Sequence, residues 1–92
     1  MKDICIAVFD TPVEWDTEPT KSELDIIDKI YMGMAKATMR RVMNIYNATA
    51  EDVEFEQTPA YFIRDIYQNG YVIMPKIKVL IDEKFVEKFK NN

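Results

Sequence analysis

Side chains able to carry out nucleophilic or metal chemistry are sparse in this sequence. The 92 residues include one cysteine, Cys5, and no histidine. Cysteine–histidine and serine–histidine catalysis both need an imidazole base, and the usual zinc sites need several cysteine or histidine ligands. These chemistries are therefore excluded. Cys5 is predicted to be a small buried hydrophobic residue of the first strand.

The carboxylates are numerous but match no pattern typical of a catalytic or cation site. Four of them lie in the proline-containing loop from Asp10 to Pro19, at spacings that do not fit a calcium-binding loop. The chain has only two glycines, Gly33 and Gly70, so it has no glycine-rich phosphate-binding loop. We therefore expect a protein that is not an enzyme and that uses neither a cofactor nor a metal ion.

A group of tyrosines suggests a small-molecule pocket as an alternative function. Tyr61, Tyr67 and Tyr71 lie on either side of Arg64 in the sequence. Such residues could line a ligand site, although tyrosines are also common as half-buried core residues. A ligand-binding module with a tyrosine and arginine pocket is therefore retained as an alternative.

The net charge of −4 is unevenly distributed. Residues 29–50 contain four bases and no acid, whereas acids predominate just before and just after them. Overall acidity argues against non-specific binding to nucleic acid, whose phosphates repel an acidic protein. Direct nucleic-acid binding through Lys36, Arg40 and Arg41 stays a third possibility.

Length and composition indicate one domain spanning residues 1–92. No apolar run reaches the roughly 18 residues of a membrane-spanning helix. A single cysteine allows no internal disulfide, and the first residues are too polar for a signal peptide. We therefore expect a cytoplasmic protein that does not interact with membranes.

The longest periodic segment runs from Thr20 to Asn47 and is predicted to form one α-helix. Thr20 and Glu23 match a capping box, and Asn47 is a suitable C-terminal stop. With a rise of about 1.5 Å per residue, the helix would be roughly 40 Å long. That is longer than a domain of this size needs to span its core. The predicted apolar stripe consists of Leu24, Ile27, Tyr31, Met34, Thr38, Val42 and Ile45.

Three segments are predicted to be β-strands. Residues 2–9 are apolar on both faces, which is typical of a strand in the interior of a sheet. Residues 53–57 alternate in polarity and suit a short edge strand. Residues 71–82 form the longest strand, and Pro75 within it indicates an edge or a bulge.

Two short helices complete the predicted fold. Thr58-Pro59 resembles a helix start, so residues 59–68 are predicted to be helical. A hairpin around Asn69-Gly70 is the competing interpretation. Residues 83–90 form an amphipathic C-terminal helix. The expected class is α+β, with one long amphipathic helix packed on a small mixed or antiparallel three-stranded sheet.

The favoured function is binding to another protein. The long helix is apolar over most of its circumference, which suggests that a partner covers part of it. Methionines are common at adaptable interfaces, and an exposed tryptophan often dominates one. We expect a small regulatory protein, of the phage or mobile-element inhibitor type, that blocks a basic target surface with its acids. The predicted partner-binding residues are Glu14, Trp15, Asp16, Met32, Met39, Met43, Glu54 and Glu56.

The same helix suggests a homodimer. Small residues lie near its midpoint, acids near its start and bases near its end. Two antiparallel copies would approach closely at the midpoint and match charge at both ends, as a two-fold interface requires. The predicted dimer interface consists of Gly33, Ala37, Arg40 and Arg41.

Overall fold

A computed structural model describes residues 3–85 of the chain. One long helix packs against an antiparallel sheet, which confirms the α+β class. The elements in chain order are β1 (Asp3–Phe9), β2 (Val13–Trp15), α1 (Lys21–Tyr46), a 3₁₀ turn (Ala50–Asp52), β3 (Val53–Asp65) and β4 (Gly70–Asp82).

The central strand of the sheet is β4, which pairs antiparallel with all three other strands. On one side β3 runs along almost its entire length. On the other side, β1 pairs with residues 77–82 and β2 with residues 71–73. Within residues 3–85 the sheet thus has four strands, because residues 13–15, predicted as loop, extend the β1 side. The prediction that the first strand lies inside the sheet is wrong, since β1 pairs in this range with β4 alone and is an edge strand.

Pro75 lies in this central strand without disrupting it. On the β3 side, Thr58 pairs with Lys76 and Tyr61 with Met74, so two residues of β3 oppose Pro75 in a bulge. On the other side, β1 pairing ends at Ile77 and β2 pairing begins at residue 73. The missing proline N–H therefore falls where neither neighbouring strand requires a hydrogen bond.

The predicted helix over residues 59–68 is wrong, and the competing hairpin is correct. Residues 61–65 pair with 70–74 as the second half of β3. The turn that follows is fixed at both ends: the Asp65 carboxylate accepts from the Tyr67 backbone N–H at 3.0 Å, and Asn69 adopts a left-handed φ of 53°. The helix-like Thr58-Pro59 start instead introduces the bulge.

The long helix forms as predicted. Thr20 N–H donates to Glu23 Oε1 at 2.9 Å and Glu23 N–H donates to Thr20 Oγ1 at 3.2 Å, so the capping box is confirmed. Asn47 ends the helix in the left-handed conformation, with φ of 55°. Ala48 N–H then satisfies the Met43 carbonyl at 3.0 Å.

The core lies between α1 and one face of the sheet. Thirteen-residue strands at about 3.3 Å per residue span roughly 40 Å. The helix therefore matches the length of its sheet and is not longer than its core requires. The buried apolar residues are Ile27, Tyr31, Ala35, Val42, Ala48, Val53, Ile73, Ile77, Val79 and Ile81.

Two further predictions concern the ends of the described chain. Cys5 is exposed, so its predicted burial is wrong. It pairs with Leu80 at the sheet edge, next in register to Ile4, which pairs with the buried Ile81. Neighbours in a strand point to opposite faces, so Cys5 faces away from α1. The predicted helix over residues 83–90 begins at residue 83, and its part beyond residue 85 lies outside the described residues.

Candidate protein-binding surfaces

The first candidate surface is a shallow cleft at one end of the sheet, formed by β2 and the residues that follow it. Its lining residues are Glu14, Trp15, Asp16 and Thr17. Trp15 is half-buried against the core, and its indole N–H donates to Glu23 Oε2 at 3.0 Å. The indole is therefore held in one orientation, whereas Glu14 and Asp16 are exposed. These three predicted partner-binding residues are consecutive in the chain, and all of them line this cleft.

The capping carboxylate of α1 accepts a hydrogen bond from the tryptophan that lines this cleft. Hydrogen bonds from the Thr20 backbone N–H, and then from the side chains of Thr20 and Trp15, hold the pKa of Glu23 below its ordinary value. The charged form of Glu23 thus ties the start of α1 to the tryptophan of β2.

The turn between β3 and β4 projects beside the cleft, because β2 pairs with the first residues of β4. We call residues 66–69 the hairpin tip. Ile66 is 76% exposed and Tyr67 is 91% exposed, the two highest values among the exposed large apolar residues. Turns usually carry polar or glycine residues. The apolar pair Ile66-Tyr67 is therefore unusual for a turn. Together with the hairpin interpretation, it is the sequence signal that could have identified this exposed apolar site.

The proposed tyrosine and arginine pocket is not assembled. Arg64 pairs with Tyr71 on the face of the sheet that carries α1, whereas Tyr61 pairs with Met74 on the opposite face. Tyr67 lies in the hairpin tip. The structure therefore distributes the four residues over three different surroundings.

The acids predicted to bind a partner fall into two groups. Glu14 lies opposite Val72 of β4, whereas Glu54 and Glu56 lie opposite Leu80 and Lys78. At about 3.3 Å per residue, the two groups are roughly 20 Å apart along the sheet. Glu54 belongs to a second depression, whose lining residues are Asp3, Glu51, Asp52, Glu54, Asp82 and Lys84.

Asp52 is the most constrained acid of this second depression. The Thr49 backbone N–H and hydroxyl both donate to its Oδ2, at 2.9 and 3.0 Å, and Lys84 Nζ lies 3.8 Å from its Oδ1. These contacts, the Thr49 backbone bond foremost, lower the pKa of Asp52. Its carboxylate therefore serves the 3₁₀ turn and is less available to a partner than Glu51 or Glu54.

The methionine flank of α1 turns towards the molecule. Met32, Met39 and Met43 are half-buried and pack against the core between helix and sheet. Other apolar residues of α1 are more exposed: Ile26 at 55%, Ile30 at 53% and Met34 at 42%. The methionine content alone thus did not identify the exposed side of the helix.

We define the outward face of α1 as a set of seven exposed residues that lie away from the buried side of the helix. Apart from the adjoining residues and the surrounding helix backbone, no atom of the described chain lies within 4 Å of the position that a Cβ atom would take at Gly33. The structure places all four residues of the predicted dimer interface on this face, together with the three exposed apolar side chains. The outward face consists of Ile26, Ile30, Gly33, Met34, Ala37, Arg40 and Arg41.

Within residues 3–85, none of the bases of α1 forms an ion pair. The salt bridge found in this range joins Lys84 to Asp52. Lys29, Lys36, Arg40 and Arg41 are all exposed. The Lys36, Arg40 and Arg41 set proposed for nucleic acid therefore lies on accessible surface, beside the apolar residues of the outward face.

Two further observations concern metal-ligand groups and helix apolarity in the described residues. Between residues 3 and 85, no three or more histidine, cysteine or carboxylate side chains are grouped to hold a metal ion. No helix in the same range is both long and apolar enough to cross a bilayer. No protein-family model matches the chain, and no characterised protein and no solved structure is significantly similar to it.

Proposed function

We propose that this chain is a small non-enzymatic regulatory protein that binds another protein through the acidic end formed by the hairpin tip and the β2 cleft. The observation that carries the proposal is the pair Ile66 and Tyr67, exposed on a constrained turn. Exposed apolar side chains stabilise the free monomer very little. In a complex they would be buried, which makes them suitable anchors.

Rigidity supports this role. An interface loses affinity when flexible segments must be ordered on binding, and a turn already fixed by hydrogen bonds avoids much of that loss. The Asp65 carboxylate and the left-handed Asn69 fix the hairpin tip before any partner arrives. Tyrosine is also enriched among the residues that dominate binding energy at interfaces.

The surrounding charge indicates the chemistry of the target. Glu14 and Asp16 are exposed beside the tip, and Glu18 follows on the same loop. Arg64 is the neighbouring base. A surface of this composition complements a target whose apolar pocket is rimmed by lysine and arginine. A nucleic-acid-binding site of an enzyme has such a basic rim, so a bound copy of this protein would act as an inhibitor.

Affinity capture with matched variants tests the proposal. Tagged wild-type protein should retain a specific partner from cells that encode it, whereas Ile66→Asp and Tyr67→Ala should each lose that partner. Ile45→Asp is the control, because Ile45 is 65% exposed at the far end of α1. A specific partner that binds the tip variants as well as it binds wild type would contradict the proposal.

The two alternatives have less support from the geometry. The residues of the suggested ligand pocket do not converge. Of the bases suggested for nucleic acid, Arg40 and Arg41 belong to the outward face and Lys36 lies beside it. The apolar side chains of that face contribute little to binding phosphates. A thermal-shift screen with nucleotides and metabolites, and a mobility-shift assay at low salt, would detect these functions directly.

A further inference from the structure

We infer that a second copy of this chain binds the outward face of α1, with the two helices antiparallel about a two-fold axis near Gly33. The homodimer leaves the hairpin tip of each copy free. It therefore goes beyond the target binding proposed above and does not depend on it.

The apolar content of the outward face is the first reason. Ile26, Ile30 and Met34 follow each other at intervals of four residues and are each 42–55% exposed. This spacing produces a continuous stripe along one side of a helix. The other side of α1 already packs on the sheet, so the stripe is additional to the apolar surface that folding requires.

The charges on either side of Gly33 fit a second copy. At 100° per residue, and measured from the direction of Gly33, Asp25 and Arg40 project towards one side of the interface, and Glu23 and Arg41 towards the other. The inferred two-fold axis lies in the interface and runs perpendicular to the helices. Rotation about it reverses the direction of the helix, but a residue on one side of the interface stays on that same side in the second copy. Arg40 of one copy then faces Asp25 of the other, and Arg41 faces Glu23, and each pair occurs twice.

The axial positions agree with this pairing. About the midpoint between residues 33 and 34, Asp25 lies 8.5 residues before and Arg40 lies 6.5 residues after. At about 1.5 Å of rise per residue, the distances of Asp25 and Arg40 from this midpoint, measured along the helix, differ by roughly 3 Å. An arginine side chain easily spans that difference. Gly33 has no side chain, and beyond its own stretch of helix no described atom lies within 4 Å of its Cβ position, so the helix backbones can approach closely at the axis.

One contact opposes association. Lys29 of one copy lies near Lys36 of the other on the same side of the stripe. Both side chains are exposed and long enough to turn towards solvent. A single pair of crossing helices also buries less surface than an obligate dimer does, so we expect a dissociation constant on the order of micromolar.

Sedimentation of wild type and two matched glutamate variants is the main test. Wild type should be a dimer at about 100 µM, well above the expected dissociation constant. Ile30→Glu should weaken dimerisation about a hundredfold or more, because a charge would be buried at the centre of the interface. Ile66→Glu should leave dimerisation unchanged. Circular dichroism should show both variants folded, since both positions are exposed in the monomer.

Cysteine cross-linking tests the antiparallel orientation. In a Cys5→Ser background, Gly33→Cys lies beside the two-fold axis and should oxidise to a disulfide-linked dimer. Asn44→Cys is also exposed but lies near one end of α1, far from its own copy, and should stay unlinked. Efficient linkage at both positions would indicate parallel helices and overturn the inferred arrangement.

A charge exchange tests the predicted pair of Arg40 with Asp25. Arg40→Asp and Asp25→Arg should each weaken dimerisation about tenfold, because each replaces two attractive contacts with two repulsive ones. The double variant should recover affinity. A wild-type monomer at about 100 µM, or a dimer disrupted by Ile66→Glu and not by Ile30→Glu, would overturn the inference. Either result would leave capture of a target by the hairpin tip as a separate question.

Discussion

The contact between Asp28 of α1 and the bulge of β3 offers a sharp test of how helix and sheet are joined. The Ala60 backbone N–H, which the bulge leaves without a strand partner, donates to both Asp28 carboxylate oxygens at 3.1 and 3.2 Å. Gln57 Nε2 donates to the Asp28 backbone carbonyl at 3.2 Å. Replacement with alanine removes the carboxylate contact and preserves the contact from Gln57.

The expected cost follows from the surroundings of the bond. A hydrogen bond to a charged acceptor contributes about 1.5–3 kcal/mol when well buried. Asp28 and Ala60 are only half-buried, so water can partly replace the lost acceptor. We therefore expect Asp28→Ala to reduce the free energy of unfolding by about 1–2 kcal/mol relative to a matched alanine variant, or roughly 5–10 °C in Tm.

Asp25→Ala is that matched variant. Asp25 is exposed three residues earlier on the same helix, so both substitutions gain the same helix propensity and lose a similar interaction with the helix dipole. Both variants should be made in the Ile30→Glu background, so that association does not contribute. Urea denaturation gives the free energies, and NMR hydrogen exchange follows the Ala60 amide directly.

The two measurements should agree. In the Asp28→Ala variant the Ala60 amide should exchange faster, whereas Asp25→Ala should leave its exchange rate unchanged. Equal stability of the two variants, together with an unchanged Ala60 exchange rate, would refute the view that the carboxylate of α1 satisfies the bulge.

Three further predictions concern other contacts of the helix. Tyr31→Phe should lower the free energy of unfolding by about 1 kcal/mol, because it removes the hydrogen bond that the Tyr31 hydroxyl donates to the Thr11 carbonyl at 2.7 Å, while the ring stays buried. Denaturation of the purified variant measures this free energy. Gly33→Ala should stabilise the monomeric form by about 0.8–1 kcal/mol through helix propensity, as a thermal melt in the Ile30→Glu background would show. The pKa of Glu23 is lowered chiefly by the Thr20 backbone N–H. Its stabilisation should thus be complete above the ordinary glutamate pKa and decline as the pH falls through the lowered folded value, and Glu23→Gln should remove this part of the acid dependence of stability.

The prediction that failed most completely concerns residues 59–68. Their local sequence satisfies helix rules, with Thr58-Pro59 as a start and apolar residues three and four positions apart. It satisfies strand rules as well, because Tyr61, Phe62 and Ile63 are residue types that favour strands and Asn69-Gly70 is a hairpin signal. Local rules could not separate the two. The long strand β4, which offers unpaired backbone groups along its whole length, decided in favour of pairing.

The candidate surfaces show the same division. The sequence identified Gly33, Ala37, Arg40 and Arg41 as one surface, because helical periodicity alone places them together. In the structure all four are exposed. It did not identify Ile66 as an exposed residue. That position becomes a hairpin tip only when β3 and β4 pair, which depends on contacts between different segments of the chain.

The sequence by itself determined α1, from its capping box at Thr20 to its stop at Asn47, because both signals act between residues a few positions apart. It also determined the long strand predicted over residues 71–82, whose apolar alternation leaves little choice. The tertiary structure decided that β4 would be central despite Pro75, since this depends on where β1, β2 and the β3 bulge happen to pair. It also decided which apolar side chains of α1 face inward, because a helix with a wide apolar arc can pack on a sheet in more than one rotation, and only the position of the sheet selects among them.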